Sequence, residues 1–392
     1  VPSERESLPS SLSHRTSIRD VLLSSTPTWA GLPNLKIFSL VFHPSPHSSL
    51  HSLRVSTVSS TPSLSLLKAF LPLLCDTLLS VITMSTNGLS NGTSSAVRAA
   101  SHAGSWYTKN PRDLSRELQD WLGAVGEPIG EARAIIAPHA GYSYCGATAA
   151  HAFNQIVPEK VHRIFVLGPS HVVSLSGCAL TTCSKYRTPL GDININRQIT
   201  DELYASGQFE WMGRKDEETE HSIEMQLPFI AKVMENQPSG SYTLIPVLVG
   251  SLSGNKQATY GSIFARYLED PHNLFVISSD FCHWGSRFRF TPYDQSSSVP
   301  IFEQISNLDK QGMEAITRLQ PEHFNAYLKK TSNTICGRNP ICVMLNAAEH
   351  FRQANNHTHE FRFLRYSQSN QVRNPSDSSV SYAAGALFIH PK

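Results

Sequence analysis

Three short apolar runs in this chain each end within a few residues of a histidine, and that pattern constrains the fold more than any other feature. Ala132-Arg-Ala-Ile-Ile-Ala137 stops at Pro138 and is followed by His139. Arg163-Ile-Phe-Val-Leu167 runs into Gly168-Pro-Ser-His171. Asn273-Leu-Phe-Val-Ile277 leads to Ser278-Ser-Asp-Phe-Cys-His283. Two more runs, Leu244–Val249 and the Gly-interrupted Val380–Ile389, also read as strands. Runs of this length, apolar throughout and bounded by Gly, Pro or Ser, suit strands covered on both faces. Helical spacing fills the intervals at Asp113–Trp121, Gly146–Ile156, Glu220–Met234, Glu303–Leu319 and Pro340–Phe351. Strands alternating with helices predict a single-domain α/β fold with a mostly parallel central sheet flanked by helices. Ligands of such sheets bind beyond the carboxyl ends of the strands, where His139, His171 and His283 all fall.

Composition narrows the function. Net charge is +2 and charged residues are 16% of the 392. A basic face for gripping nucleic acid is not expected. No charge-free apolar stretch is long enough to span a membrane. The 7 cysteines show no C-x-x-C pair, so reduced thiols fit better than a disulfide scaffold.

Residues 1–94 differ from the rest. They are rich in Ser, Leu and Pro, and the first methionine is Met84. The segment is expected to be a disordered or non-native extension with a true start near Met84. An acid-poor transit peptide is the rival reading, and an anchor at residues 64–84 is disfavoured by Lys68, Pro72 and Asp76. The core domain is expected over 95–392.

Other residues are candidates for the same pocket. Asp280, three before His283, can orient an imidazole or ligate a metal, or cap a turn. His221 and Glu224 are three apart at an expected helix start, so they would share a face, or form a charged first turn. Cys336, in Thr334-Ile-Cys-Gly-Arg-Asn-Pro340, precedes a helix and is a nucleophile or soft-ligand candidate, or a buried free thiol. His102, in Ser101-His-Ala-Gly-Ser-Trp-Tyr107, lines the pocket or packs a loop. No G-x-S-x-G, Walker A or H-E-x-x-H is present.

These motifs, with His221-Ser-Ile-Glu-Met and Ser378-Ser-Val-Ser-Tyr-Ala-Ala-Gly-Ala, occur in an order that resembles the Memo family (mediator of receptor-driven cell motility) from about Ala100 to Ile389. The resemblance implies a fold akin to class III extradiol dioxygenases and a copper or iron ion held by His139, His171 and Cys336. It places Asp280 and His283 in the same pocket as catalytic residues. It also implies redox activity, phosphotyrosine-peptide partners, roles in signalling, cytoskeleton and motility, and a cytoplasmic location, with the nucleus open as a second. A mitochondrial location follows only if residues 1–83 are a transit segment. A thiol at the third ligand position departs from the carboxylate of a facial triad and favours Cu(I) or zinc over dioxygenase-type Fe(II). A metal-independent peptide adaptor, using Arg187, Arg287 or Arg338, stands beside the redox reading. So does a true Fe(II) dioxygenase that recruits His221 or Glu224.

Overall fold

The computed structural model describes residues 96–355 and 357–390. The expectations for the N-terminal extension, including its transit and anchor readings, lie outside the described residues.

In chain order the strands begin with β1 (Val97–Arg98), β2 (Ala132–Ala137), β3 (Arg163–Pro169) and β4 (Cys178–Leu180). Next come β5 (Lys185–Thr188), β6 (Gly191–Asn194), β7 (Phe209–Trp211) and β8 (Thr243–Val249). The last are β9 (Asn273–Ser278), β10 (His283–Trp284), β11 (Thr358–Gln368) and β12 (Ser379–His390). The helices are α1 (Pro111–Gly123), α2 (Tyr142–Phe153), α3 (Arg197–Ala205), α4 (Arg214–Thr219) and α5 (Leu227–Val233). They continue with α6 (Gly254–Glu269), α7 (Ile301–Thr317), α8 (Pro321–Thr331) and α9 (Arg338–Ala354).

The main sheet runs β10-β12-β2-β9-β3-β8-β4-β7, with β11 also paired to β12. Its centre, β2-β9-β3-β8, is parallel throughout. The α/β class is as expected, but the sheet is mixed rather than mostly parallel. β12 returns from a hairpin with β11 and lies antiparallel to β2, and β4 lies antiparallel to β8. A short hairpin connection can join only antiparallel neighbours. β1, β5 and β6 form a separate small sheet.

Alternate side chains of the central strands feed two cores. Ala134, Ile136, Phe165, Leu167, Ile245, Val247, Phe275 and Ile277 pack with Phe264, Leu268, Ile341 and Leu345 of α6 and α9. Ile135, Ile164, Val166, Leu244, Leu248, Leu274 and Val276 pack with Leu114, Leu118, Phe153 and Phe229 of α1, α2 and α5. Burial on both faces is why these strands are apolar without alternation.

The spatial order differs from the chain order at the point that matters. β9 inserts between β2 and β3, with Ala137 opposite Ser278. The three carboxyl ends that precede His139, His283 and His171 are therefore side by side.

One expected helix, 220–234, forms only in its second half. Glu220 and His221 are irregular, Ser222 and Ile223 form a turn, Glu224–Gln226 is a single 3₁₀ turn, and α5 starts only at Leu227. Glu220 takes the N–H groups of His221 and Ser222 on its own carboxylate, a local alternative to helical hydrogen bonding. His221 and Glu224 thus do not share a helix face, and they point to different partners.

Candidate metal centre

His139 leaves β2 through Pro138 and is buried, with 2% exposure. Its backbone N–H donates to Asp280 Oδ1 at 2.8 Å. Its ring is fixed by a chain of hydrogen bonds that also settles its tautomer. Ser278 Oγ donates to the Ser222 carbonyl at 2.6 Å and accepts from Gln226 Nε2 at 2.9 Å. Gln226 Nε2 also donates to the Pro138 carbonyl at 3.0 Å, which orients the amide. A hydroxyl has one hydrogen and two lone pairs, so Ser278 has only a lone pair left for His139 Nδ1 at 2.8 Å. Nδ1 therefore carries the ring proton. Nε2 is the free lone pair, and it faces Cys336 Sγ at 3.2 Å.

His171 is built on the same plan with a carboxylate. Glu220, 2% exposed, accepts His171 Nδ1–H at 3.0 Å and the His171 backbone N–H at 2.6 Å. With two further backbone N–H groups on Oε1, that oxygen takes three donors and Oε2 takes one. Burial works against its charge, but the hydrogen bond and charge of His171 and the backbone donors win and hold the carboxyl at about 2. The carboxylate–histidine pair leaves His171 Nε2 for a ligand, the usual arrangement behind a metal-bound imidazole.

Cys336 sits at the turn before α9. Gly337 donates to Ser279 Oγ at 3.1 Å, and a Cβ on Gly337 would stand 2.3 Å from Ser279 Cβ and 2.5 Å from the Ser278 carbonyl. Only glycine lets this turn lie against the end of β9. Cys336 Sγ accepts the Asp280 N–H at 3.3 Å. Burial, with the Asp280 charge second, pushes its thiol up. Burial likewise holds His139 well below the usual histidine range, helped by the imidazoles of His221, His171 and His283. One ligand atom each from His139, His171 and Cys336 lies within 4.8 Å of the others.

Asp280 is buried, and burial raises its carboxyl against the pull of His283. His283 Nδ1 lies 2.9 Å from the Phe281 carbonyl and 3.2 Å from the Thr334 carbonyl. Carbonyls only accept, so that nitrogen holds the proton and Nε2 is free. His221 stacks on His171 at 4.5 Å and 19° and lies tilted by 36° against Trp106 at 4.5 Å. Burial, then His171, lowers its pKa to about 4. A second metal-capable group, His171–Glu220–His221, is already tied together by hydrogen bonds, with three N–H donors on Glu220 Oε1 and one on Oε2.

Glu224 is not at the ligand cluster. It is wholly buried and binds Arg98 Nη1 at 2.7 Å, His102 N–H and Nδ1 at 2.8 Å, and Tyr107 OH at 2.8 Å. His102 is held by it on the far side of His221, 6.0 Å between rings. The dioxygenase reading with Glu224 as third ligand fails on this geometry. Arg187 pairs with Asp192 on the β5–β6 hairpin, Arg287 lies over Phe288, and Arg338 Nη1 donates to the Ile335 carbonyl.

The model of the family described as Memo-like protein matches residues 98–386. The chain belongs to the Memo-like family. It is 67% identical over 308 residues to the Protein memo-1 homolog of Caenorhabditis elegans, covering 79% of this chain and 86% of that one. Against human Protein MEMO1 it is 55% identical over 293 residues, covering 75% of this chain and 98% of the relative. Among solved structures, the uncharacterized protein JW3007 of Escherichia coli K12 aligns with 64% of this chain and 99% of its own at 14% identity, with a TM-score of 0.40.

In this Memo-like chain the orienting residues escaped sequence reading. Glu220 and Ser278 were visible only as parts of polar runs, and no spacing linked them to His171 or His139. Among the described residues no helix is long and apolar enough to cross a membrane, and Cys145, Cys178, Cys183, Cys282, Cys336 and Cys342 are free thiols.

Proposed function

We propose that this chain is a redox metalloprotein that holds one copper or iron ion through His139 Nε2, His171 Nε2 and Cys336 Sγ. The observation that carries the reading is the convergence of one ligand atom each from His139, His171 and Cys336 within 4.8 Å, with each imidazole anchored through Nδ1. The donor set fits: two neutral imidazoles and a thiol suit copper, while iron meets a softer set than a facial triad offers. Bound copper or iron would supply one-electron redox chemistry there.

The chain's own groups do the rest. Ser278 and Glu220 hold the Nδ1 protons and so keep both Nε2 lone pairs aimed inward. Cys336 loses its proton on ligation, so uptake of metal releases a proton and weakens as pH falls. His283 Nε2, beside Asp280, can take up or return a proton.

Elemental analysis of the full chain tests this. About one copper or iron per chain, lost in His139→Ala and in Cys336→Ala, is the expected outcome. Full occupancy in either variant would overturn the assignment.

One observation favours a second reading. A cleft of about 610 Å³ beside His102 is lined by Ser101, Arg214, Lys215, Glu218 and Thr219. Lys215, beside the Arg214–Glu218 pair, suits an adaptor that binds phosphotyrosine peptides in the cytoplasm, in keeping with signalling, cytoskeletal and motility roles. Titration of a phosphotyrosine peptide into metal-free and metal-loaded protein separates the two. Equal binding in both states supports the adaptor, and no binding in either removes it.

A further inference from the structure

Asp309 lies on α7, outside the ligand cluster, and is wholly buried. Its Oδ1 accepts the Cys282 backbone N–H at 3.2 Å and Asn333 Nδ2–H at 2.9 Å. Its Oδ2 accepts the Tyr366 hydroxyl at 2.8 Å. That hydroxyl accepts from Gln368 at 3.0 Å and lies 3.1 Å from Ser381 Oγ.

The two bonds on Oδ1 reach both loops of the site. Cys282 adjoins His283. Asn333 Oδ1 accepts the Thr334 N–H at 2.8 Å. Thr334 Oγ1 accepts the His283 N–H at 2.8 Å and donates to the His283 carbonyl at 3.0 Å. Cys336 follows two residues later. The His283 loop and the Cys336 loop are thus clasped together at Thr334 and fastened to α7 at one carboxylate.

A buried carboxylate is a costly way to fill space, and burial does push this one up to about 6. An apolar side chain would pack the position without that penalty. What it could not do is hold a backbone N–H from one loop and an amide from the other.

We infer that Asp309 is a positioning residue: it ties both loops to α7 and so sets Cys336 Sγ against His139 Nε2. The geometry stands without metal, and only the metal-loaded arm of the test rests on the proposed function.

Cys336 is half-buried, whereas the other described cysteines are buried, so its alkylation reads the loop directly. The full chain is stripped with chelator and treated with iodoacetamide, and each cysteine is followed by peptide mass spectrometry. In Asp309→Ala the Cys336 rate is expected to rise about tenfold, as when buried donors lose their acceptor. Cys145, Cys178 and Cys183 should stay as slow as in the parent. Asp309→Asn should behave like the parent. Its amide oxygen can accept both N–H groups, and its NH₂ can donate to Tyr366 once that hydroxyl turns to Ser381.

An unchanged Cys336 rate in Asp309→Ala would overturn the inference. So would a rise shared equally by Cys145, Cys178 and Cys183, which reports general loosening. Should Asp309→Ala not fold, Asn333→Ala cuts the same path nearer Cys336 and carries the same expectation and the same refutation. In a parallel arm the proteins are loaded with Co(II). A thiolate-to-cobalt band in the parent that weakens in Asp309→Ala agrees with the inference. No band in the parent would retire the metal reading and leave the alkylation rates to decide the positioning role.

Discussion

An imidazole offers one nitrogen to a ligand only while the other keeps its proton, so the residues behind His139 and His171 matter as much as the ligands themselves. Ser278→Ala removes the acceptor of His139 Nδ1–H, and Glu220→Gln weakens the acceptor of His171 Nδ1–H. Each is expected to lower metal affinity by about 10–100-fold, measured by competition with a chromophoric chelator. Parent-like affinity in both would show that the tautomers do not depend on these partners. Glu220 illustrates why sequence reading stops short at this scale. It lies 49 residues from His171, and nothing in the local pattern says that its carboxylate turns back to collect backbone N–H groups instead of opening a helix.

At the scale of elements, the site depends on how closely the turn before α9 approaches β9. Gly337→Ala would push a methyl into Ser279 and the Ser278 carbonyl. It should cost about 1–3 kcal/mol of stability by chemical denaturation and reduce metal occupancy by displacing Cys336. A stable Gly337→Ala with full occupancy would mean that the turn has slack. The β11–β12 hairpin carries a different test. His359, on β11, packs on Phe351 at 5.2 Å. Burial, followed by the positive neighbours His357, Arg352 and Arg133, lowers its pKa to about 4. The unfolded chain then binds the proton more readily than the folded one. The stability tied to neutral His359 is present above about pH 6.5 and is lost as pH falls toward 4. After allowance for its partial exposure, about 1 kcal/mol of acid sensitivity is expected. His359→Leu should flatten the denaturation midpoint between pH 7 and pH 5 by that amount, and an identical pH profile would exclude His359 as its source.

For the whole molecule, the segment before α1 is bound in by a buried pair rather than by apolar packing alone. Arg98 is 1% exposed. Its guanidinium meets Glu224 and the carbonyls of Ala99, Glu217 and Glu220. Arg98→Ala leaves Glu224 buried with a charge and no guanidinium. It should lower stability by about 3–5 kcal/mol in denaturant titration and, through Glu220 and His221, loosen the His171 side of the pocket. A loss under 1 kcal/mol would mean that His102 and Tyr107 satisfy Glu224 unaided. What the sequence determined by itself is the set of central strands, the helices α1, α2, α7 and α9, and the placement of three histidines at strand ends. Continuous burial on both faces writes an unbroken apolar run, and a run of that kind is readable locally. The sequence motifs also carried the family. The tertiary structure alone decided that β9 enters between β2 and β3, that β12 runs antiparallel, that Glu224 serves Arg98 and His102, and that Glu220 and Ser278 orient the ligands. Those outcomes rest on contacts between residues tens to more than a hundred positions apart, formed because buried donors and acceptors must find partners wherever the packed chain brings them. Spacing along one strand or helix holds no record of that choice.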